Sequence, residues 1–343
     1  MSAERRLLPW RHGIVTVEAR GAMIGPTVFI LDDGRMIAPL WLAPWWNERH
    51  EGLDAMTAAL RGEWPCVPFG YPQPGEGMAP GWRAALASDA DWPHDPPHGP
   101  GSHALWRFES AAGADHVALA VDYPVDHDIA GLRRVIRPDP DAPALDFSLE
   151  ITARRATALP VALHFCFRLG PRPGDTRLIP GAFARGWTHP GEIEPGRFAV
   201  AKGAGFADLA AVPAAAGGTL DLTRLPITTP AEEVLQLTDS EGRFAVAHDG
   251  EGWRADLSWP ADALPSTLLW LSNRGRQGAP WNGRTLALGV EPAATAFGLS
   301  VPACRGANPI ADSGTATTLT LAAGETRRID YRLSVSGLAV AGE

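Results

Sequence analysis

Two stretches of this sequence set one ionisable side chain on a face of small residues. The first, "LPVALHFCFRLG" (residues 159–170), has the alternation of a strand. Val161, Leu163, Phe165, Phe167 and Leu169 share one face, and Ala162, His164, Cys166 and Arg168 share the other. The second, "RTLALGVEPAATAF" (residues 284–297), repeats the arrangement. Leu286, Leu288 and Val290 lie on one face, and Thr285, Ala287, Gly289 and Glu291 on the other. Small side chains leave room above a sheet. An imidazole or a carboxylate projecting into that room meets any ligand lying there. An isolated strand histidine is most often structural, and a glutamate near a strand end is usually solvated. Periodicity sets the face of each residue and not the distance between the two strands.

Three further segments carry candidate binding residues. "RGEWPCVPFG" combines a turn glycine, two prolines and two aromatics into a rigid shelf from which Arg61 could face a ligand. "PPHGPGSHALWRF" places His98 before a glycine and a strand. "NRGRQGAPWNGR" gathers Arg274, Arg276 and Arg284 beside Trp281, a set suited to an anion because guanidinium groups bind carboxylate or phosphate through paired hydrogen bonds. Taken singly, each of these reads slightly better as an ordinary packed loop, exposed side chain or charged turn.

The elements that must position these residues are strands. "HGIVTVEA", "TVFILDD", "HALWRFESA", "HVALAVDY", "ALDFSLEITARR" and "PVALHFCFRL" are short period-2 runs bounded by Gly, Pro or Asp. "RFAVAH", "WRADLSW", "STLLWLSN", "RTLALGVEP", "TTLTLAA" and "RRIDYRLSVSG" continue the texture. No βαβ alternation appears, so the pattern predicts an all-β fold of two large packed antiparallel sheets with few short helices. One short amphipathic helix is expected within 47–60, with Leu53, Met56 and Leu60 on one side. Residues 72–82 and 89–103 are rich in Pro and Gly and read as long surface loops. No internal repeat or boundary divides the chain, so residues 1–343 are read as one domain.

The totals narrow the function classes. The 343 residues are 45% hydrophobic, enough for a large core. A net charge of −9 argues against non-specific nucleic-acid binding, which needs a basic surface. The three cysteines, Cys66, Cys166 and Cys304, lack metal-ligand spacing and suit a reducing compartment. The N-terminal "MSAERRLLPWRHG" has no signal-like apolar run, and no segment approaches the ~20 apolar residues that span a bilayer. A cytoplasmic protein without membrane contact, monomeric or homodimeric, is the expectation.

Taken in order, the segments resemble the galactose mutarotase-like superfamily of aldose 1-epimerases and hexose-6-phosphate mutarotases. "LRGEWPCVPFG" is similar to its Arg-Gly-Gly-x-Pro…Phe-Gly segment, and "HGPGSHALW" to its His-Gly…Trp segment. "VALHFCFRLG" stands where the second histidine is found, and "EEVLQL" near an acidic residue followed by Val-Tyr. "LLWLSN" falls near a Trp-containing strand, and "LALGVEP" resembles the Val-x-Val-Glu-Pro strand. The likeness spans about residues 55–300. The chain departs from the pattern at Pro100, Gly101 and Ser102, at Phe165 after the second histidine, and at Glu232 (with Glu233 beside it) where Asp is usual.

The resemblance implies a β-supersandwich and interconversion of the α and β anomers of an aldose. Glu291 would be the base that takes the proton of the anomeric hydroxyl, and His164 the acid that protonates the ring oxygen. His98, Arg61, Glu232, Arg274 and Trp281 would bind the sugar, for which an acidic or phosphorylated sugar is favoured. No metal or organic cofactor is required, and the partner is a small-molecule carbohydrate rather than nucleic acid. A histidine titrates near ~6.5, so His164 is expected to need a carboxylate such as Glu291 to stay protonated. Three other readings compete: a non-catalytic carbohydrate-binding or sensing module; a polysaccharide lyase or hydrolase, for which Tyr71, Tyr123 and Tyr331 are the only tyrosines; and a structural β-protein with no site.

Overall fold

The computed structural model describes residues 4–48, 51–71, 77–86 and 95–338. Its alternating runs fold into two large sheets. The seven-strand sheet runs in the order Gly205–Phe206, Arg185–Thr188, Ala231–Thr238, Ser266–Asn273, Leu286–Ala294, Val161–Arg168, Glu63–Cys66. The nine-strand sheet is built around Arg243–His248, Trp253–Ser258, Thr326–Gly337, Ala144–Ala153, Ile129–Pro138 and Val117–Asp122, taken in sheet order. The ladders joining these long strands are antiparallel.

Period-2 alternation explains why the two sheets pack. From the seven-strand sheet, Phe165, Phe167, Leu269, Leu271, Leu288 and Val290 enter one core. Leu145, Phe147, Leu149, Val246, Leu333 and Val335 enter the same core from the nine-strand sheet. The other face of the seven-strand sheet carries the small residues Ala162, Cys166, Ala287 and Ala293, and a second cluster covers it. This division matches the face assignment read from "LPVALHFCFRLG" and "RTLALGVEPAATAF".

A buried polar link ties the sheets together. The Arg134 guanidinium pairs with the Glu63 carboxylate, both fully buried, and Tyr331 Oη donates to Glu63 Oε1 at 3.0 Å. Arg134 also donates to the Ala22 carbonyl at 2.6 Å. Glu63 precedes Trp64, so this pair fixes the edge strand beside the His164 strand.

The helices differ from the sequence expectation. The helix expected within 47–60 spans Ala55–Ala59 only. Gly52 has a φ of +80°, and Asp54 caps the helix by accepting from Thr57 N at 2.9 Å, so it begins late. Two more helices lie where loops were expected. Pro80–Leu86 buries Trp82 and Leu86, four residues apart on one face. Pro100–His103 follows Gly99. Residues 72–76 and 89–94 of the expected loops lie outside the described residues. Among the described residues, no helix is long and apolar enough to cross a membrane.

Candidate active site

His164 and Glu291 stand on neighbouring strands. The register puts Phe165 opposite Val290 and Ala162 opposite Ala293, which sets Glu291 opposite His164. His164 Nε2 lies 3.2 Å from Glu291 Oε1. Gly289 makes this contact possible, because a Cβ there would come within 2.6 Å of Glu291 Oε1 and 2.9 Å of Trp270 Cβ.

The imidazole is held on its remaining sides. Trp64 is paired across the ladder with His164 on the edge strand, and the two rings stack at 4.1 Å and 15°. Cys166 Sγ lies 3.4 Å from His164 Nδ1. The His98 ring stands nearly perpendicular to that of His164 at 5.5 Å. His98 has a φ of +62°, a strained conformation for a residue with a side chain. Its N–H donates to the Gly70 carbonyl at 2.8 Å, and Gly99 follows where a Cβ would meet the Val67 carbonyl oxygen at 2.1 Å.

These groups open onto a cavity of about 220 Å³ whose walls include Trp64, Phe69, Tyr71, His98, His164, Trp270, Arg276, Trp281 and Glu291. Met56, Thr57 and Leu60, from the first helix and the residue after it, close another side. Three buried polar atoms on these walls have no hydrogen-bond partner: Trp64 Nε1, His98 Nδ1 and Glu291 Oε2. These atoms could give and accept hydrogen bonds with a ligand lying in the cavity. A larger groove of about 710 Å³ lies over the nine-strand sheet. Its Arg133, Arg137, Arg328 and Arg332 are each paired with a carboxylate, and neither His164 nor Glu291 lines it.

Burial governs the protonation of the pair. It pushes the Glu291 carboxyl well above the usual carboxylate range. It pulls the His164 imidazole well below its ordinary value, with the neighbouring His98 acting in the same direction. The expectation that Glu291 would simply keep His164 charged is therefore corrected, because desolvation opposes charge on either group alone. The two forms without net charge each hold one exchangeable proton between them: carboxylic acid with imidazole, or carboxylate with imidazolium. His98 is lowered to about 4, first by burial and then by the charges of His103 and Arg276, and is neutral at pH 7.

The structure separates the remaining candidates. Trp281 and Arg276 line the cavity, with the Arg276 guanidinium 4.4 Å from the Trp281 ring centroid. Glu232 stands behind them. It accepts from Trp270 Nε1 at 2.7 Å and Ser272 Oγ at 2.9 Å, and pairs with Arg276 Nε at 3.0 Å. Glu233 points to the other side, where the Ala199 and Val200 N–H groups donate to it. Two expected contacts are corrected. Arg61 is not in the cavity wall; its guanidinium pairs with Glu18 at 3.1 Å and donates to the Ala59 carbonyl at 2.6 Å. Arg274 is exposed in a left-handed turn with a φ of +59° and is not among the lining residues. Trp64, Phe69, Tyr71 and Trp270 line the site without having been assigned to it from sequence. Trp64 and Phe69 were visible only as aromatics of a rigid loop. Among the described residues, no three His, Cys, Asp or Glu side chains are gathered to hold a metal ion.

No protein-family model matches the chain, and no curated protein is similar to it in sequence. The likeness is one of fold. A galactose mutarotase-like protein from Lactobacillus casei ATCC 334 superposes with a TM-score of 0.62 at 13% identity, covering 97% of this chain and 100% of that one. A GalM/aldose epimerase homologue from C. elegans gives 0.63 at 11% identity, over 98% and 100%. The Slr1438 protein from Synechocystis sp. PCC 6803 gives 0.63 at 14% identity, over 98% of each chain. The chain thus has the galactose mutarotase-like β-supersandwich fold.

Proposed function

We propose that this protein is an isomerase of the aldose 1-epimerase type, interconverting the α and β anomers of a sugar through its open-chain aldehyde. The observation that carries the reading is the His164–Glu291 contact at 3.2 Å on a cavity wall, with Glu291 Oε2 without a hydrogen-bond partner.

The chemistry follows from the two forms of the pair without net charge. With imidazolium and carboxylate, Glu291 takes the proton of the anomeric hydroxyl while His164 Nε2 gives its proton to the ring oxygen. The bond between the ring oxygen and the anomeric carbon breaks and the aldehyde forms. The pair is left as imidazole and carboxylic acid. Rotation about the bond between the first and second carbons presents the other face of the carbonyl. The reverse proton transfers then close the ring as the other anomer. Neither step changes the net charge of a buried site, so burial does not oppose the proton movement. Positioned acid–base catalysis of this kind contributes typically ~10²–10⁴-fold. His98 Nδ1 and the Trp64 N–H would meet the sugar hydroxyls.

The substrate reading is narrower than the sequence suggested. Of the three arginines expected to meet an anionic group, Arg276 alone lines the cavity, and Glu232 already partly neutralises it. Arg276 is the residue that would meet a carboxylate or phosphate. The test is exchange between anomers, followed by polarimetry and NMR, for a neutral hexose, its uronate and its 6-phosphate. Faster exchange of at least one is expected. Binding of sugars without faster exchange of any would replace the enzyme reading with a carbohydrate-binding one.

A further inference from the structure

In the proposed reaction His164 exchanges its proton with the sugar through one ring nitrogen, and the structure contains a residue placed to decide which. We propose that Cys166 is a positioning residue for His164: its sulfur, 3.4 Å from Nδ1, holds the proton on that nitrogen and leaves Nε2, 3.2 Å from Glu291, as the nitrogen that gains and loses the catalytic proton. The inference rests on the proposed acid–base role of the pair but concerns a property of the resting protein.

The placement of the sulfur is rigid. Cys166 N donates to the Gly62 carbonyl at 2.7 Å, and the Cys166 carbonyl accepts from Trp41 N at 2.8 Å. Gly289 lies directly opposite it on the Glu291 strand, and Trp64 covers one face of the imidazole. The ring therefore has one orientation, with one edge on sulfur and the other on carboxylate. Imidazolium carries a hydrogen on Nδ1, and so does the imidazole left when imidazolium gives up its Nε2 proton. In the first, Nε2–H donates to the carboxylate; in the second, a protonated Glu291 donates to Nε2. Sulfur is the acceptor for Nδ1–H in each. The alternative, a thiol donating to Nδ1 with Nε2–H directed at Glu291, would leave the resting imidazole with no free lone pair at Nε2 to take a proton back. Burial also keeps the Cys166 thiol protonated, pushing it well above its usual range. A thiol is a weak acceptor, so it orients the ring without strongly stabilising imidazolium. That keeps His164 a willing acid.

The test reads the ring nitrogens directly, by ¹⁵N NMR of histidine-labelled protein at pH 7, with His164 assigned by the signals missing from His164→Asn. The expected spectrum has a protonated Nδ1 in the wild type and in Cys166→Ser, whose hydroxyl accepts in place of sulfur. Cys166→Ala should shift both His164 signals toward a mixture of tautomers. It should also lower kcat for anomer exchange roughly 10-fold with little change in KM, and Cys166→Ser should restore most of the loss. A wild-type spectrum with the hydrogen on Nε2 and a bare Nδ1 would overturn the proposal. So would a Cys166→Ala spectrum identical to the wild type. Neither NMR result depends on the sugar; failure of the wild type to exchange any aldose would remove the enzymatic reading and leave the tautomer assignment standing.

Discussion

Replacing Gly289 by alanine should separate stability from activity. The added methyl would lie 2.6 Å from Glu291 Oε1 and 2.9 Å from Trp270 Cβ, against ordinary contact beginning at 3.4 Å. Both neighbours must give way, the carboxylate by about 0.8 Å and Trp270 by about 0.5 Å. Trp270 is held by its own strand and by the 2.7 Å bond from its indole to Glu232, so the carboxylate takes the larger displacement. A displacement of that size takes the 3.2 Å contact with His164 out of hydrogen-bond range. Overpacking costs about 1–3 kcal/mol, and replacing a strand glycine recovers about 0.5–1 kcal/mol, so the net loss of stability is roughly 0–2 kcal/mol. Misplacement of a reacting group by ~1 Å costs about 10²-fold in rate. The assay pairs a thermal or urea melt with the rate of anomer exchange measured by NMR. A folded Gly289→Ala protein that exchanges anomers within about 3-fold of wild type would refute the role of the Glu291 carboxylate position.

Other outcomes follow from the same geometry. His164→Asn should lose about 10²–10⁴-fold in exchange rate while keeping the far-ultraviolet circular dichroism spectrum of the sheets. Arg61→Ala should destabilise the fold by on the order of 3 kcal/mol, because it strands the buried Glu18, yet it should leave the ranking of neutral and anionic sugars unchanged. Arg276→Ala, in contrast, should weaken a uronate or 6-phosphate more than a neutral hexose if an anionic sugar is the substrate, as KM values for the three will show. Burial lowers His189 to about 4, and unfolded histidine titrates near 6.5. Its contribution is therefore present above pH 6.5 and is lost as pH falls toward 4. Between pH 7 and 5 the wild type should lose about 2 kcal/mol more than His189→Gln, measured by chemical denaturation.

Much of the architecture was legible because strands write their burial into alternate positions. The faces of the His164 and Glu291 strands could be assigned from small residues alone. Their adjacency could not, since it depends on pairing across more than a hundred residues. The same holds for Trp64, which is assigned to the imidazole only once the Glu63–Cys66 strand is seen beside Val161–Arg168. Ile129–Pro138 was hidden by Arg134, an inward-facing arginine in a run that otherwise reads as amphipathic; its partner Glu63 lies 71 residues away. Arg61 was misplaced for a similar reason, its partner Glu18 being 43 residues earlier. Proline and glycine made Pro80–Leu86 look like a loop, although proline is welcome in a first helical turn and Trp82 and Leu86 supply a buried face.

The most direct test of the account is the exchange rate between sugar anomers in Glu291→Gln, measured by NMR saturation transfer beside the wild type on the aldose that the wild type exchanges fastest. The amide keeps the shape of the side chain but cannot take the anomeric proton. The account predicts a folded protein whose exchange falls to within a few-fold of the uncatalysed rate, a loss of about 10²–10⁴-fold. Exchange at the wild-type rate in Glu291→Gln would contradict it and assign the proton transfer to another base.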